Sequence, residues 1–212
     1  MEEKKLGFYE LFYIFIAGCL FGYVIEVLWS FYRHHIFINH TALVIGPFNV
    51  VYGVSALTLS YILNKYRKEN IFKLFIISFV IGTILEYTLS LVMEKMGGFV
   101  AWYYSRYFLN INGRVCLKYS IYWGILGVIW IKYIHPLVLR VIKSFNPKKA
   151  KTIMNFLIVF LLADTFLTFQ AIDRAKEYER GIPPESKYEE YLDKYYGIEY
   201  LNNMYNYRWN KK

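Results

Sequence analysis

Apolar residues occur along this chain in long, nearly uncharged runs rather than in the periodic stripes of soluble helices. The five runs are Phe8 to Phe31, Pro47 to Leu63, Ile71 to Met93, Val115 to Ile134 and Ile153 to Ile172. A helix needs about 20 predominantly apolar residues to cross the hydrocarbon of a bilayer. The pattern therefore predicts an all-α integral membrane protein with about five transmembrane helices. The second run is the shortest, and its start is expected to belong to the loop before the helix.

The first and third runs share a motif of glycine, glutamate and serine. The motif G-x3-E-x3-S occurs twice, at an offset of 60 residues, as Gly22, Glu26, Ser30 and as Gly82, Glu86, Ser90. Residues four apart share one face of a helix, so each helix is expected to carry a narrow polar stripe. Gly18 extends the first stripe by one turn, and Glu94 extends the other.

The similarity continues into the segments that follow each motif. Asn39 precedes Tyr52-Gly53, and Asn110 precedes Trp123-Gly124, at an offset of 71 residues. The difference between the two offsets indicates an 11-residue insertion in the second copy, within Lys95 to Ser105. We interpret the copies as parallel helix-loop-helix repeats about an axis along the membrane normal. A chance match is the alternative.

This interpretation divides the chain into a bundle and a tail. The predicted parts are a transmembrane bundle (1–172) with repeat one (8–64), repeat two (71–135) and a fifth helix (153–172), and a C-terminal tail (173–212). In the tail, tyrosines and a leucine recur at helical spacing after Pro183-Pro184, at Tyr188, Tyr191, Leu192 and Tyr195. Gly197 is a typical helix stop. We expect an amphipathic helix that lies at the membrane interface or docks on the bundle.

The net charge of +9 comes mainly from Lys and Arg in the loops. A lipid bilayer explains this placement better than nucleic acid does. Two loops are the most basic, Lys65 to Lys68 and Arg140 to Lys151. The positive-inside rule therefore predicts a multi-pass protein of the cell membrane, with the N-terminus in the cytoplasm and the tail outside.

Glu26 and Glu86 fall in the outer half of the bilayer in this topology. Acids inside a membrane are costly and persist when they are paired or face a cavity. One hypothesis is a polar cavity between the repeats, and its candidate binding residues are Glu26, Glu86, Glu94, Arg114, Asn110, Tyr52, Trp102, Ser30 and Ser90. The other is a pair of structural salt bridges, with Arg114 and Lys118 as partners. For Asp164, in the fifth run, we expect a buried helix–helix hydrogen bond.

Other chemistry has little support in the sequence. His34, His35 and His40 lack a metal-site pattern of acids or thiols, so no metal and no cofactor is expected. Cys19 and Cys116 are expected to be buried thiols. The chain has no phosphate-binding loop of the ATPase type and no G-x-S-x-G or H-E-x-x-H motif.

The segment from Gly46-Pro47 to Tyr52-Gly53 resembles the GP-x-x-x-x-YG segment of the ABC-transporter permease family, type IV (CmpB-like bacterial membrane proteins). Further segments resemble the second half of that family, namely Leu85-Glu86-Tyr87, Met93-Glu94-Lys95, Trp102 to Ser105, Asn110 to Cys116, Trp123-Gly124, Asp173 and Tyr191-Leu192-Asp193. The resemblance implies a multi-helix bacterial membrane protein. The chain departs from the family pattern at His40-Thr41 and at Tyr103, where an arginine and an aspartate are missing.

Three functions remain open at this point. The sequence favours a transport component that binds a solute or lipid, with a separate ATPase docking on the basic cytoplasmic loops. A membrane-embedded enzyme acting on a lipid or isoprenoid-like substrate is the second, with Glu26 and Glu86 as acid and base. The third is a non-catalytic interaction protein that uses the tyrosine tail. A homo-oligomer is compatible with each.

Overall fold

The computed structural model describes residues 6–35, 37, 39, 41–100, 102–205 and 208–209. In chain order its helices are α1 (Phe8–His34), α2 (Val50–Leu63), α3 (Ile71–Gly97), α4 (Leu117–Ile129), α5 (His135–Ser144), α6 (Pro147–Glu179), α7 (Lys187–Tyr196) and α8 (Ile198–Tyr205). A 3-10 turn, Asn64–Tyr66, follows α2, and a π-helical turn, Trp130–Ile134, joins α4 to α5. Two short strands, β1 (Phe99–Val100) and β2 (Arg208–Trp209), pair antiparallel. The all-α membrane fold is confirmed.

Among the described residues, four helical segments rather than five are long and apolar enough to cross a membrane. They are α1, α3, the continuous segment from α4 to α5, and α6. The second apolar run forms only the 14 residues of α2, about 21 Å of helix. Gly46, with a φ of 79°, and Pro47 keep the start of the run out of the helix, and Asn49 is the residue at its N-cap position.

The segment before α2 folds into the bundle instead of lying over its surface. Leu43 and Val44 are buried, and the backbone N–H of Val44 donates to Oγ1 of Thr168 in α6 at 3.0 Å. The N–H of Ile45 donates to Oδ1 of Asp164 at 3.1 Å. Irregular backbone at membrane depth needs such partners, because no water is there to supply them. The partner expected for Asp164 was another helix, and this prediction is wrong: its partner is the loop backbone.

Two antiparallel helix pairs, α1 with α2 and α3 with α4, make the most extensive contacts of the fold. Small residues allow their backbones to approach closely. A Cβ added at Gly18 would lie 2.4 Å from Cβ of Ala56, and one added at Gly82 would lie 2.4 Å from Cβ of Trp123. The polar stripes therefore face the interior of the bundle.

The start of α1, the turn after α2 and the start of α6 lie at one end of the bundle, here called the basic end. Nζ of Lys132 donates to the backbone oxygens of Arg67 and Glu69 at 2.8 and 3.0 Å. The Tyr13 hydroxyl donates to the backbone oxygen of Ala150 at 2.7 Å. The opposite end, which carries residues 102–116 and the tail, is called the loop end.

Helices replace much of the predicted basic loop from Arg140 to Lys151. Helix α5 continues to Ser144, and Asn146 caps α6, where its Oδ1 accepts the N–H of Lys148 at 3.0 Å. Helix α6 is consequently 33 residues long, about 50 Å. It therefore extends well past the predicted residues 153–172.

The tail docks on the far part of α6 as two short helices. Ser186 caps α7, and Gly197 ends it, as predicted. The buried contact residue is Leu192, whereas Tyr191 is 45% exposed. Arg174 of α6 is 3% exposed and forms two hydrogen bonds to Asp193, at 2.8 and 2.9 Å. The ion pair of Arg174 with Asp193 and the burial of Leu192 attach α7 to α6, and the tyrosine side chains of α7 stay partly exposed.

Candidate functional site

Glu26 of α1 accepts a hydrogen bond from a tyrosine of the neighbouring helix. The Tyr52 hydroxyl donates to Oε1 of Glu26 at 2.8 Å. The Tyr52 ring reaches this position because Gly22, one turn before Glu26, has no side chain. A Cβ added at Gly22 would lie 2.1 Å from Cγ of Tyr52. The motif glycine thus makes the space that the donor of the motif glutamate occupies.

Glu86 of α3 is more deeply enclosed, with a side chain that is 5% exposed. The Tyr104 hydroxyl donates to its Oε1 at 3.1 Å. The indole of Trp123 also interacts with this carboxyl group, and the Trp123 ring packs over Gly82, one turn before Glu86. Oε2 of Glu86 has no partner that satisfies hydrogen-bond geometry within the described part of the chain.

The rings that cover the two glutamates touch each other. The ring centroids of Tyr52 and Trp123 are 5.5 Å apart. Glu26 and Glu86 are close enough to interact electrostatically, and both also interact with the Tyr104 hydroxyl. We call Glu26 and Glu86 the glutamate pair. The structure therefore brings together the two acids that the sequence motif singled out.

A second polar cluster lies one to two helical turns nearer the loop end of α3. Arg114 forms an ion pair with Glu94, and its Nη1 donates to Oγ of Ser90 at 3.1 Å. Nε1 of Trp102 donates to the backbone oxygen of Arg114 at 2.8 Å. The hypothesis that Arg114 forms a salt bridge with Glu26 or Glu86 is wrong. The acid that Arg114 contacts is Glu94, because both side chains lie at the loop end.

Two further candidate binding residues, Asn110 and Ser30, lie away from the carboxylates of the glutamate pair in their hydrogen bonding. Asn110 stabilises its own turn: its Nδ2 donates to the backbone oxygens of Ser105 and Tyr107, and its Oδ1 accepts the N–H of Gly113. Ser30 is 2% exposed, and its hydroxyl has no hydrogen-bond partner among the residues that the structure describes.

Lys118, the other partner in the salt-bridge hypothesis, instead lies among four aromatic rings, so the hypothesis is wrong for this residue as well. Its Nζ is 5.7 Å from the ring centroids of Trp29, Tyr107 and Tyr119, and 5.9 Å from that of Tyr122. We call these four rings the aromatic box. The one sequence signal for this arrangement is the spacing of four residues between Lys118 and Tyr122, which places both on one helix face.

Tyr104 links the aromatic box to the glutamate pair. Its ring stacks on Tyr119 with centroids 4.4 Å apart, while its hydroxyl reaches Glu86. Burial, and then the negative charge of Glu86, raises the pKa of Tyr104 well above its ordinary value. The hydroxyl therefore remains a neutral donor at physiological pH. Sequence reasoning missed this residue, although it lies inside the predicted insertion.

Aromatic rings, not an open polar space, fill the region between the glutamates. A cavity of about 20 Å³ beside Tyr52 and Trp123 continues toward Leu126 and is lined by apolar groups. That volume is about one water molecule. A larger groove, of about 260 Å³, lies between α1 and α6 and contains neither glutamate. Solute binding at the glutamate pair stays a prediction.

The histidines, acids and cysteines are the candidates for metal or thiol chemistry. No group of three His, Cys, Asp or Glu side chains there is arranged to hold a metal ion. Cys19 and Cys116 are buried free thiols, as predicted. His40, one of the departures from the family pattern, lies outside the described residues.

These features define a membrane-embedded helical bundle with its polar side chains turned inward. The chain matches the model of the family described as Putative ABC-transporter type IV over residues 13–169, and it belongs to that family. No curated protein and no solved structure matches the chain.

Proposed function

We propose that this chain is the permease-like component of a transporter and binds a solute or lipid head group between Glu26 and Glu86. The family supports the transporter class. The main support for this site is the burial of Glu86. Its side chain is 5% exposed, and one of its oxygens has no hydrogen bond among the described residues.

The energetic argument starts from the cost of an acid inside a membrane. That cost is at least about 2.5–3.5 kcal/mol for an ionised group at the bilayer centre. No ion pair among the described residues includes Glu26 or Glu86, because Arg114 contacts Glu94 and Lys118 lies in the aromatic box. A proton or a bound ligand must then compensate the pair. Binding of a ligand would require Tyr104 to move, and Tyr104 lies on an irregular segment.

The two helix pairs support the proposal of an internal repeat. The contact of Gly22 with Tyr52 corresponds to that of Gly82 with Trp123 at the offsets of 60 and 71 residues. The contacts Gly18 with Ala56 and Gly53 with Phe15 correspond in the same way to Gly127 with Ser78 and Gly124 with Phe75. Random similarity would not reproduce three packing contacts, so we propose two parallel repeats around the glutamate pair.

We further propose that the basic end faces the cytoplasm. The contacts of Lys132 with the turn after α2 and of Tyr13 with α6 gather the basic segments at one end. Such an end suits both the positive-inside rule and a separate ATPase subunit. The glutamate pair would then be reached from outside.

Catalysis on a lipid has less support. It requires an acid beside a groove that lipid can enter, and the larger groove is lined by Thr165 and by apolar residues of α1, α2, α6 and the loop before α2. The glutamate pair lies elsewhere, under aromatic rings.

The proposed function predicts ligand stabilisation that depends on both glutamates. The purified full chain in lipid nanodiscs is screened by thermal shift against amines, carboxylates, sugars and lipid head groups. We expect one class to raise the melting temperature of the native chain but not of Glu26→Gln or Glu86→Gln, because an amide removes the charge and keeps the shape.

The matched control is Asp173→Asn, the same chemical change at a side chain that is 70% exposed. It should respond to the ligand like the native chain. A panel without any stabilising solute, or stabilisation that survives both glutamate substitutions, would contradict the proposed binding site. Size-exclusion profiles and circular dichroism establish that each variant is folded.

A further inference from the structure

The aromatic box holds the ammonium group of Lys118, which shows that its geometry accepts an ammonium group. Four rings from α1, α4 and the loop before α4 lie within 5.9 Å of the Lys118 ammonium. Aromatic faces attract cations at distances up to about 6 Å, and several faces together recognise ammonium groups. Lys118 itself is exposed, so a competing cation has access to the same rings.

A continuous series of packed aromatic rings leads from this box to two carboxylates. Tyr119 belongs to the box, stacks on Tyr104, and Tyr104 donates to Glu86. Beneath it, Trp123 packs against Tyr52, which donates to Glu26. Aromatic rings and carboxylates both attract positive charge.

The same arrangement disfavours other ligand classes. An anion would meet two carboxylates with no cation in contact with either among the described residues. A calcium or magnesium ion prefers six or more oxygen ligands, whereas tyrosine rings and indoles surround this pair. A soft organic cation suits both the rings and the acids.

We propose that the ligand carries an ammonium group, which displaces Lys118 from the aromatic box and then pairs with Glu26 and Glu86. This inference rests on the proposed function, since it names the solute class of that site. For the ligand to enter, the loop that carries Tyr104 must move and break the hydrogen bond between Tyr104 and Glu86. The ammonium group then donates to Oε2 of Glu86, which has no hydrogen-bond partner among the described residues.

The test uses the full chain in phosphatidylglycerol nanodiscs with choline, ethanolammonium and the uncharged choline isostere 3,3-dimethylbutan-1-ol. Isothermal titration should show binding of at least one cation and at least about tenfold weaker binding of the isostere. Lys118→Ala should tighten cation binding by on the order of tenfold, because it removes a tethered competitor. Glu86→Gln should abolish binding.

One further arm of the experiment identifies the source of the ammonium. Phosphatidylethanolamine added to the nanodiscs should compete with free ethanolammonium if a lipid head group is the ligand, and leave its binding unchanged if a free amine is. Either result retains the ammonium class. Equal binding of the neutral isostere, or unchanged affinity in Lys118→Ala, would overturn the inference.

The two proposals fail in different ways. If a neutral or anionic solute binds in a manner that depends on the glutamates, the proposed function stands and the ammonium inference is wrong. If nothing binds in such a manner, the binding site itself is wrong. Because Lys118 is exposed, its variant should fold even where Glu86→Gln does not.

Discussion

At the scale of single residues, the glycine one turn before each glutamate does as much for the site as the glutamate itself. Gly22 makes room for Tyr52, and Gly82 for Trp123, and these two rings cover the pair. Any side chain at either glycine would push its ring away. The hydrogen bond between Tyr52 and Glu26 therefore depends on the absence of one Cβ.

Gly82→Ala is expected to destabilise the bundle by about 1–3 kcal/mol, the usual cost of overpacking a core. The new Cβ would lie 2.4 Å from Cβ of Trp123, so α3 and α4 must separate. Thermal unfolding in detergent, followed by circular dichroism, should show a lower melting temperature.

The control for this substitution is Ala163→Val, which adds volume on an exposed face of α6. It should change stability by less than about 0.5 kcal/mol. Equal melting temperatures for Gly82→Ala and the native chain would refute the close packing of α3 on α4.

At the scale of elements, two segments that a hydropathy pattern treats as surface are packed on the bundle. The loop before α2 is held by Asp164 and Thr168, and the tail covers it, with the Tyr200 hydroxyl donating to the backbone oxygen of Val44 at 2.8 Å. Val44, Ala171 and Leu192 belong to one buried cluster. The tail, the loop and α6 consequently form one packed unit.

Asp193→Asn is expected to loosen the tail without unfolding the bundle. The change removes one of the two carboxylates that contact the buried Arg174, the other being Glu177, and a hydrogen bond to a charged group contributes about 2 kcal/mol. Amide exchange in α7 should therefore accelerate by roughly 30-fold, measured by mass spectrometry in nanodiscs.

Exchange in α3 and α4 provides the internal reference, and Glu190→Gln provides the control at an exposed position of α7. Exchange in α3 and α4 should not change in Asp193→Asn, and exchange in α7 should not change in Glu190→Gln. An α7 that exchanges as fast in the native chain as in Asp193→Asn would rule out the docked tail.

At the scale of the whole molecule, basic segments gather at one end and aromatic, irregular segments at the other. The loop end holds the aromatic box, the ion pair of Arg114 with Glu94, and the docked tail. This division is compatible with the orientation that we propose, with the basic end in the cytoplasm.

The orientation can be tested by labelling single cysteines on intact cells with an impermeant maleimide. Arg106→Cys, in the exposed loop before α4, should react, and Lys68→Cys, at the basic end, should react only after lysis. The native Cys19 and Cys116 are at most 1% exposed and should not be labelled. The opposite labelling would reverse the orientation. Thr41 is unsuitable as a reporter because it is 5% exposed.

The sequence by itself determined the membrane class, four of the long helices and the α7 helix, and its repeated motif singled out Glu26 and Glu86 as candidates. These features depend on local length, hydropathy and spacing. Nearly uncharged runs of about 20 residues have few alternatives to crossing a bilayer, and residues four apart must share a helix face.

Only the tertiary structure decided which groups the charged side chains meet. Arg114 contacts Glu94, Lys118 enters the aromatic box, and Asp164 accepts a loop N–H. Tyr104 reaches Glu86 from within the insertion. Such partners depend on distances between segments far apart in the chain, and a long side chain selects among several neighbours by a few ångströms that no local pattern encodes.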